Sequence, residues 1–308
     1  MTLDQFILRR LFVSIFLLLG VSVIVFGVIR LAPGDPVMVV AGLDALPETV
    51  EAIRKEWGFD LPVYVQYFRW LIRAVRLDFG QSLMTREKVS EMILARLPAS
   101  LKLNLVAYAL ALAVSIPMGI YSALKQYSLL DHVGTVVALV GVSMPGFWLG
   151  LLLILYFALY LGWFPVFGIG TWKHYVLPSV ALGASQAAGL MRMTRSSVLE
   201  AMKQDYIRTA RAKGLAERVV VFKHMLKNAS LPIVTIIGMR IAYLLSGSFI
   251  IETIFAWPGI GRLAINCLYS RDYFVVQGTV LLTAVVIVFA NLIVDVTYCF
   301  LDPRIRYQ

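Results

Sequence analysis

Residues 206–232 read YIRTARAKGLAERVVVFKHMLKNASLP, a basic, small-residue segment set between two long apolar runs. A charged helix between membrane spans cannot itself lie in hydrocarbon, where one cation costs about 2.5 to 3.5 kcal/mol on insertion scales. It therefore belongs on the cytoplasmic face, where a soluble partner can grip it. If 205–213 is helical, Tyr206, Ala210 and Gly214 recur at i, i+4 and i+8, so one aromatic knob precedes two nearly bare positions on one stripe. Such a stripe fits a partner groove at close backbone range, with Arg208, Arg211 and Lys213 on other faces. Gly214 also suits closing the helix in a left-handed conformation.

Composition supports the membrane reading independently. Apolar residues make up 60% of the 308 positions and charged ones only 15%, against about a quarter in soluble domains. The mean hydropathy is +0.81. A formal charge of +10 could suggest nucleic acid, but the charges sit between apolar runs, where topological bias explains them. No nucleic-acid partner is expected.

Apolar runs at 11–29, 103–124, 133–160, 175–191, 232–251 and 273–301 predict an all-α, polytopic fold of six spans. The first follows two arginines and leads into LAPGDP with no small-x-small cleavage site, so it reads as a retained anchor. Gly146 and Gly150 form a small-xxx-small pair suited to close helix contact. Residues 1–30 are thus expected as a tail and first span, 31–96 as a mixed-charge external subdomain, and 97–308 as a five-helix core carrying a cytoplasmic loop at 196–230. Orientation rests on nine basic residues against three acids between positions 192 and 227, with Arg9, Arg10, Lys125, Arg304 and Arg306 on the same side. Both termini are expected inside.

No GxxxxGK[ST], HExxH or GxSxG motif occurs, and cysteine and histidine do not cluster, so no catalytic residue, metal site or ATP site is expected in this chain. Ser122-Ala-Leu-Lys125 matches SxxK by chance, without its companion motifs. Cys267 and Cys299 fall on opposite sides of the bilayer and cannot pair. Within the spans, Arg240 and Asp295 are both placed in the inner half by residue counting. They are candidates for a structural ion pair or for the substrate route. Glu252 with Trp257, Pro258 and Gly259 at the outer end of the fifth span are candidates for an external gate or a binding-protein contact, or simply a turn.

The 206–232 segment resembles the cytoplasmic EAA loop of binding-protein-dependent ABC importer permeases. LAPGDP (31–36), DFGQS (78–82), ARLPASLKL (95–103), TARAKG (209–214), FAWPGIGRL (255–263), RDYFVVQG (271–278) and DPRIRY (302–307) look like markers of the dipeptide, oligopeptide and nickel subfamily. They most resemble its long-external-loop member. Arg208 stands where the general pattern begins with Glu, and Phe274 where the family usually shows Pro. The resemblance implies a type I importer permease fold in the bacterial inner membrane, with Asp205, Tyr206, Arg208, Thr209, Ala210, Arg211, Ala212, Lys213 and Gly214 meeting an ATPase. It implies a homologous second permease, two ATPase subunits that bind ATP and Mg, and an external substrate-binding protein. The cargo would be a dipeptide, oligopeptide, glutathione, nickel complex or similar small solute. The competing class is an ion-gradient-driven transporter or channel, which should show intramembrane acids or repeated broken spans. Asp295 is its one candidate acid.

Overall fold

The computed structural model describes residues 3–31, 34–42, 44–241 and 248–301. Its first helices are α1 (Leu3–Leu31), α2 (Pro36–Ala41), α3 (Pro47–Glu56), α4 (Val63–Val75) and α5 (Val89–Leu124). Then come α6 (Leu129–Ser143), α7 (Gly146–Leu153) with a π-helical continuation Ile154–Tyr160, α8 (Lys173–Met202) and α9 (Asp205–Ala212). The chain continues through α10 (Glu217–Val219), a π-helical turn Val220–Met225, α11 (Leu226–Ile241), α12 (Phe249–Ile254), α13 (Ile260–Tyr269) and α14 (Tyr273–Leu301). Among the described residues there is no strand beyond one isolated bridge, Gln81 to Lys88.

Three helices are long and apolar enough to cross a membrane: Gln5–Leu31, Val89–Leu124 and Tyr273–Val296. The third expected span, 133–160, is not one rod. Leu129–Ser143 and Gly146–Tyr160 meet at 108°. Pro145 is the cause, because its ring forces the residue before it out of the helical region, and Met144 sits at φ −84°, ψ 125°. The fourth expected span lies within α8, a helix of 30 residues in which Ala, Gly and Ser replace the larger apolar side chains. Those small residues let its neighbours pack onto the backbone. The fifth, 232–251, bends by 47° between Glu217–Ser230 and Pro232–Gly238, and its stretch 242–247 lies outside the described residues.

The chain divides into two compact units, Met1–Ser100 with Pro258–Gln308, and Leu101–Trp257. In the first, Phe26 and Ile29 of α1 meet Trp70 and Ala74 of α4, Val89 and Ile93 of α5, and Val275 and Val276 of α14. Two marker segments come together there. The carboxylate of Asp272 accepts hydrogen bonds from the Ser82 hydroxyl and, at 3.1 Å, from the backbone N–H of Leu83. Gly278 has no side chain because a Cβ would stand 2.8 Å from Val89 and 3.1 Å from Phe79. DFGQS thus seats against the start of α14.

In the second unit α8 is the hub, touching α6, α7, α11 and α12. A Cβ on Gly146 would lie 3.2 Å from the Ala181 carbonyl oxygen, and one on Gly150 3.2 Å from the Phe255 ring. The small-xxx-small pair does make close helix contacts. Gly183 and Gly119 approach still closer, with added carbons 2.8 Å from the Ala107 carbonyl oxygen and 2.7 Å from Thr194.

Candidate coupling site

Helix α9 starts where Lys203 closes α8 and Gln204 turns extended (ψ 149°). Ile207 and Ala210 are its buried positions, facing a cluster of Ala123, Val198, Ala201, Val220, Val221 and Met225. Asp205, Arg208, Thr209 and Ala212 recur at i, i+3, i+4 and i+7 and are all exposed. Arg208 reaches Asp205 at 3.6 Å, and the Thr209 hydroxyl donates to the Asp205 carbonyl at 2.9 Å. The outward stripe is therefore Asp205-Arg208-Thr209-Ala212.

The stripe of Tyr206, Ala210 and Gly214 does not form. Ala210 is spent on the chain's own core, and the helix stops two residues before Gly214. Tyr206 instead lines a recess of about 260 Å3 with Glu200, Gln204, Asn228 and Pro232. Periodicity found a helix but mistook which face is inward, because an alanine between charged residues looks exposed until Ile207 one turn earlier is taken as the anchor.

Gly214 has φ +74°; its N–H donates to the Arg211 carbonyl at 2.9 Å and that of Leu215 to the Ala210 carbonyl at 3.4 Å. This is the Schellman arrangement, with glycine at the left-handed position. Beyond it the chain reverses, and Glu217 receives Arg211 through two hydrogen bonds, Nη2 to Oε1 at 2.7 Å and Nε to Oε2 at 3.2 Å. The paired carboxylate raises the Arg211 pKa, keeping the guanidinium charged. Lys213 stays exposed beside the turn.

Beneath this element lies a pair that the sequence did not flag. Asp131, 4% exposed in its side chain, accepts from Arg195 Nε at 2.8 Å and Nη2 at 2.9 Å, and from the Tyr127 N–H at 3.0 Å. It fixes the start of α6 to α8 ten residues before α9 begins. An acid in the first turn of an apolar helix was the available signal.

The other expected residues are not gathered into one site. Asp295 pairs with Arg10 at 3.1 Å, tying α14 to α1, while the side chain of Arg240 lies outside the described residues. Glu252 and Trp257 are both fully buried; Ser248 donates to Glu252 at 2.8 Å, and Tyr175 packs edge-on to Trp257 at 4.7 Å. Neither side chain is exposed to an external protein in this conformation. Pro258 is half-buried and Gly259 buried. No group of three or more metal-ligating side chains occurs among the described residues. Cys267 is a buried thiol, and DPRIRY falls outside the described residues.

Residues 115–307 match the family described as binding-protein-dependent transport system inner membrane component, and residues 3–104 match its N-terminal membrane component. The oligopeptide transport system permease protein AppB of Bacillus subtilis is 42% identical, the alignment covering 98% of this chain and 99% of that protein. The glutathione transport system permease proteins GsiC of Salmonella paratyphi A and Escherichia coli K12 are 41% and 40% identical, covering 99% of both chains. A crystal structure described as an amino acid ABC transporter with histidines shares the fold, with a TM-score of 0.53 at 17% identity over 67% of this chain and 92% of that one. With a family match over most of its length and two permeases alike from end to end, this chain belongs to the binding-protein-dependent inner membrane permeases, as a multi-pass subunit of an ATP-driven ABC importer.

Proposed function

We propose that this chain forms half of a translocation pathway for peptides or a chemically similar small solute, and that α9 transmits the motion of a separate ATPase to it. The observation that carries this reading is the geometry of α9. A two-turn helix is pinned to its own chain by Ile207 and Ala210 and closed by Gly214, and it turns a stripe free of large apolar side chains outward. A short, rigid and externally polar helix suits seating in a groove of another protein. The partners on this reading are a homologous second permease, two cytoplasmic ATPases that hold ATP and Mg, and an external substrate-binding protein. The loop at 196–230 and both termini face the cytoplasm, and 31–96 faces outward. The contact of Asp295 with Arg10 at 3.1 Å supports a structural role for that acid over ion coupling.

Peptidic cargo is favoured because one similar protein is named for oligopeptide transport and another for glutathione, itself a tripeptide. The test is uptake of labelled di- and oligopeptides and of glutathione by the reconstituted importer, beside an assembly whose ATPases carry a dead catalytic site. Uptake abolished by the dead ATPase supports the reading. Uptake that persists there but collapses with an uncoupler would replace it with a gradient-driven carrier.

A further inference from the structure

The first unit contains a cavity of about 420 Å3 whose lining includes Phe26 and Arg30 of α1, Lys55 of α3, Arg69 and Trp70 of α4, and Gln277 of α14. That volume lies in the range of small-ligand pockets. Two of its lining residues, Trp70 (6% exposed) and Gln277 (1% exposed), carry side-chain donors, Nε1 and Nε2, that have no hydrogen-bond partner and are closed off from water in this conformation. A buried donor left unsatisfied carries a desolvation penalty, so a small side-chain shift that opens either donor to the cavity is favoured by a ligand that supplies acceptors.

The charges of the cavity say what kind of acceptor. Its acids are already engaged, Asp78 by Arg73 at 2.8 Å and Glu56 by Arg86 at 3.0 Å. The Arg73 bond holds the Asp78 carboxyl below the usual carboxylate range. Among the described residues Lys55 and Arg69 have no ion-pair partner, and Arg30 donates only to neutral oxygens, Gln66 Oε1 at 2.6 Å and the Phe26 carbonyl at 3.5 Å. Its guanidinium also lies 3.5 Å over the Phe26 ring. Cations outnumber available anions beside an aromatic wall. Arg30 sits in the last turn of the first apolar helix, where the apolar run ends, a position that suits the membrane–water interface.

We propose that this cavity binds a phosphate ester, its oxyanion held by Arg30 and Arg69 and its remaining acceptors by Trp70 and Gln277, with the alcohol portion against Phe26. The ester can be the headgroup of an anionic phospholipid, such as phosphatidylglycerol, or a soluble compound with the same chemistry. The two sources separate in one experiment. The full-length permease, purified with the subunits that accompany it, is titrated with phosphatidylglycerol, with diacylglycerol and with glycerol 1-phosphate, and bound ligand is counted by native mass spectrometry. Phosphatidylglycerol should bind and diacylglycerol should not. Displacement of the lipid by glycerol 1-phosphate assigns the site to soluble esters, and failure to displace it assigns the site to the membrane. Arg69→Ala, on an exposed side chain, and Trp70→Phe, which keeps a ring but removes the donor, should each weaken binding by about tenfold. Binding of diacylglycerol equal to that of phosphatidylglycerol, unchanged affinity in both variants, or no bound ester at all would each overturn the proposal.

Discussion

Arg195 grips Asp131 through two parallel hydrogen bonds of 2.8 and 2.9 Å, joining the first turn of α6 to the last third of α8. A bidentate guanidinium–carboxylate bond fixes both distance and angle. The pair therefore holds the base on which α9 stands. Asp131→Asn and Arg195→Gln should each lower the melting temperature of the purified permease, and the double variant should recover part of the loss. A double-mutant cycle should give a coupling energy of about 0.5 to 3 kcal/mol. Strict additivity of the two losses would show that the pair does not act as a unit.

Substitutions along α9 should divide by face. Ala210→Trp over-packs the cluster around Val220 and Met225 and should cost the permease itself about 1 to 3 kcal/mol. Ala212→Trp, on the exposed stripe, should leave melting unchanged while reducing co-purification of the ATPase and substrate-stimulated hydrolysis. Full assembly and coupled uptake with Ala212→Trp would remove this stripe from the interface.

Gly214 offers a purely conformational test, since nothing lies within 4 Å of an added Cβ while φ is +74°. Gly214→Ala should therefore destabilise by about 1 kcal/mol through backbone strain alone. Gly214→Asn, better tolerated in this conformation, should cost less. The two are compared by melting, with hydrogen exchange across 205–215 locating the change.

Asp272 carries the seam between DFGQS and α14. Asp272→Ala removes the acceptor for Ser82 and Leu83, and loss of bonds to a charged group should cost about 1.5 to 3 kcal/mol each. Limited proteolysis should then cut within 76–88 more readily than in the parent protein.

Topology is tested by single cysteines at exposed sites in a variant lacking Cys267 and Cys299. Thr85 and Lys203 serve, because both side chains are exposed whereas Ser82 and Ser197 are buried. An impermeant thiol reagent added to cells with a permeable outer envelope should label position 85 and not 203. Equal labelling would refute the proposed orientation.

The long apolar helices were legible because their signal is compositional and needs no partner to read: 11–29 and 273–301 both lie inside helices of 29 residues. The bend at Pro145 was missed, since 133–160 reads as a single span. Proline is tolerated in membrane helices, so its presence alone does not distinguish a kink from a 108° turn. At the candidate site, the helix at 205–212 and the closing role open to Gly214 could be read from spacing and residue type. The direction of Ala210 could not, since it depends on Val220 and Met225, which return to it only through the reversal after Gly214. The Asp131–Arg195 bond joins positions 64 apart, and no local pattern announces such a contact.

The glycines of α5 and α8 bear on how this permease can change shape. Gly183 meets the Ala107 backbone and Gly119 meets Thr194 and the Met191 carbonyl, so the two helices touch main chain to side-chain root at points twelve residues, or about 18 Å, apart along α5. Between these contacts Leu110 and Val114 of α5 and Met191 of α8 line a cavity of about 390 Å3, so the two close approaches, and not the stretch between them, hold the helices in register. Relative sliding would drive carbonyls into Cβ atoms, leaving the two helices to travel together as a single strut. Pulling on α9, which hangs from the end of α8, would then move α5 with it, and gating would have to occur at looser joints such as the hinge before Pro145.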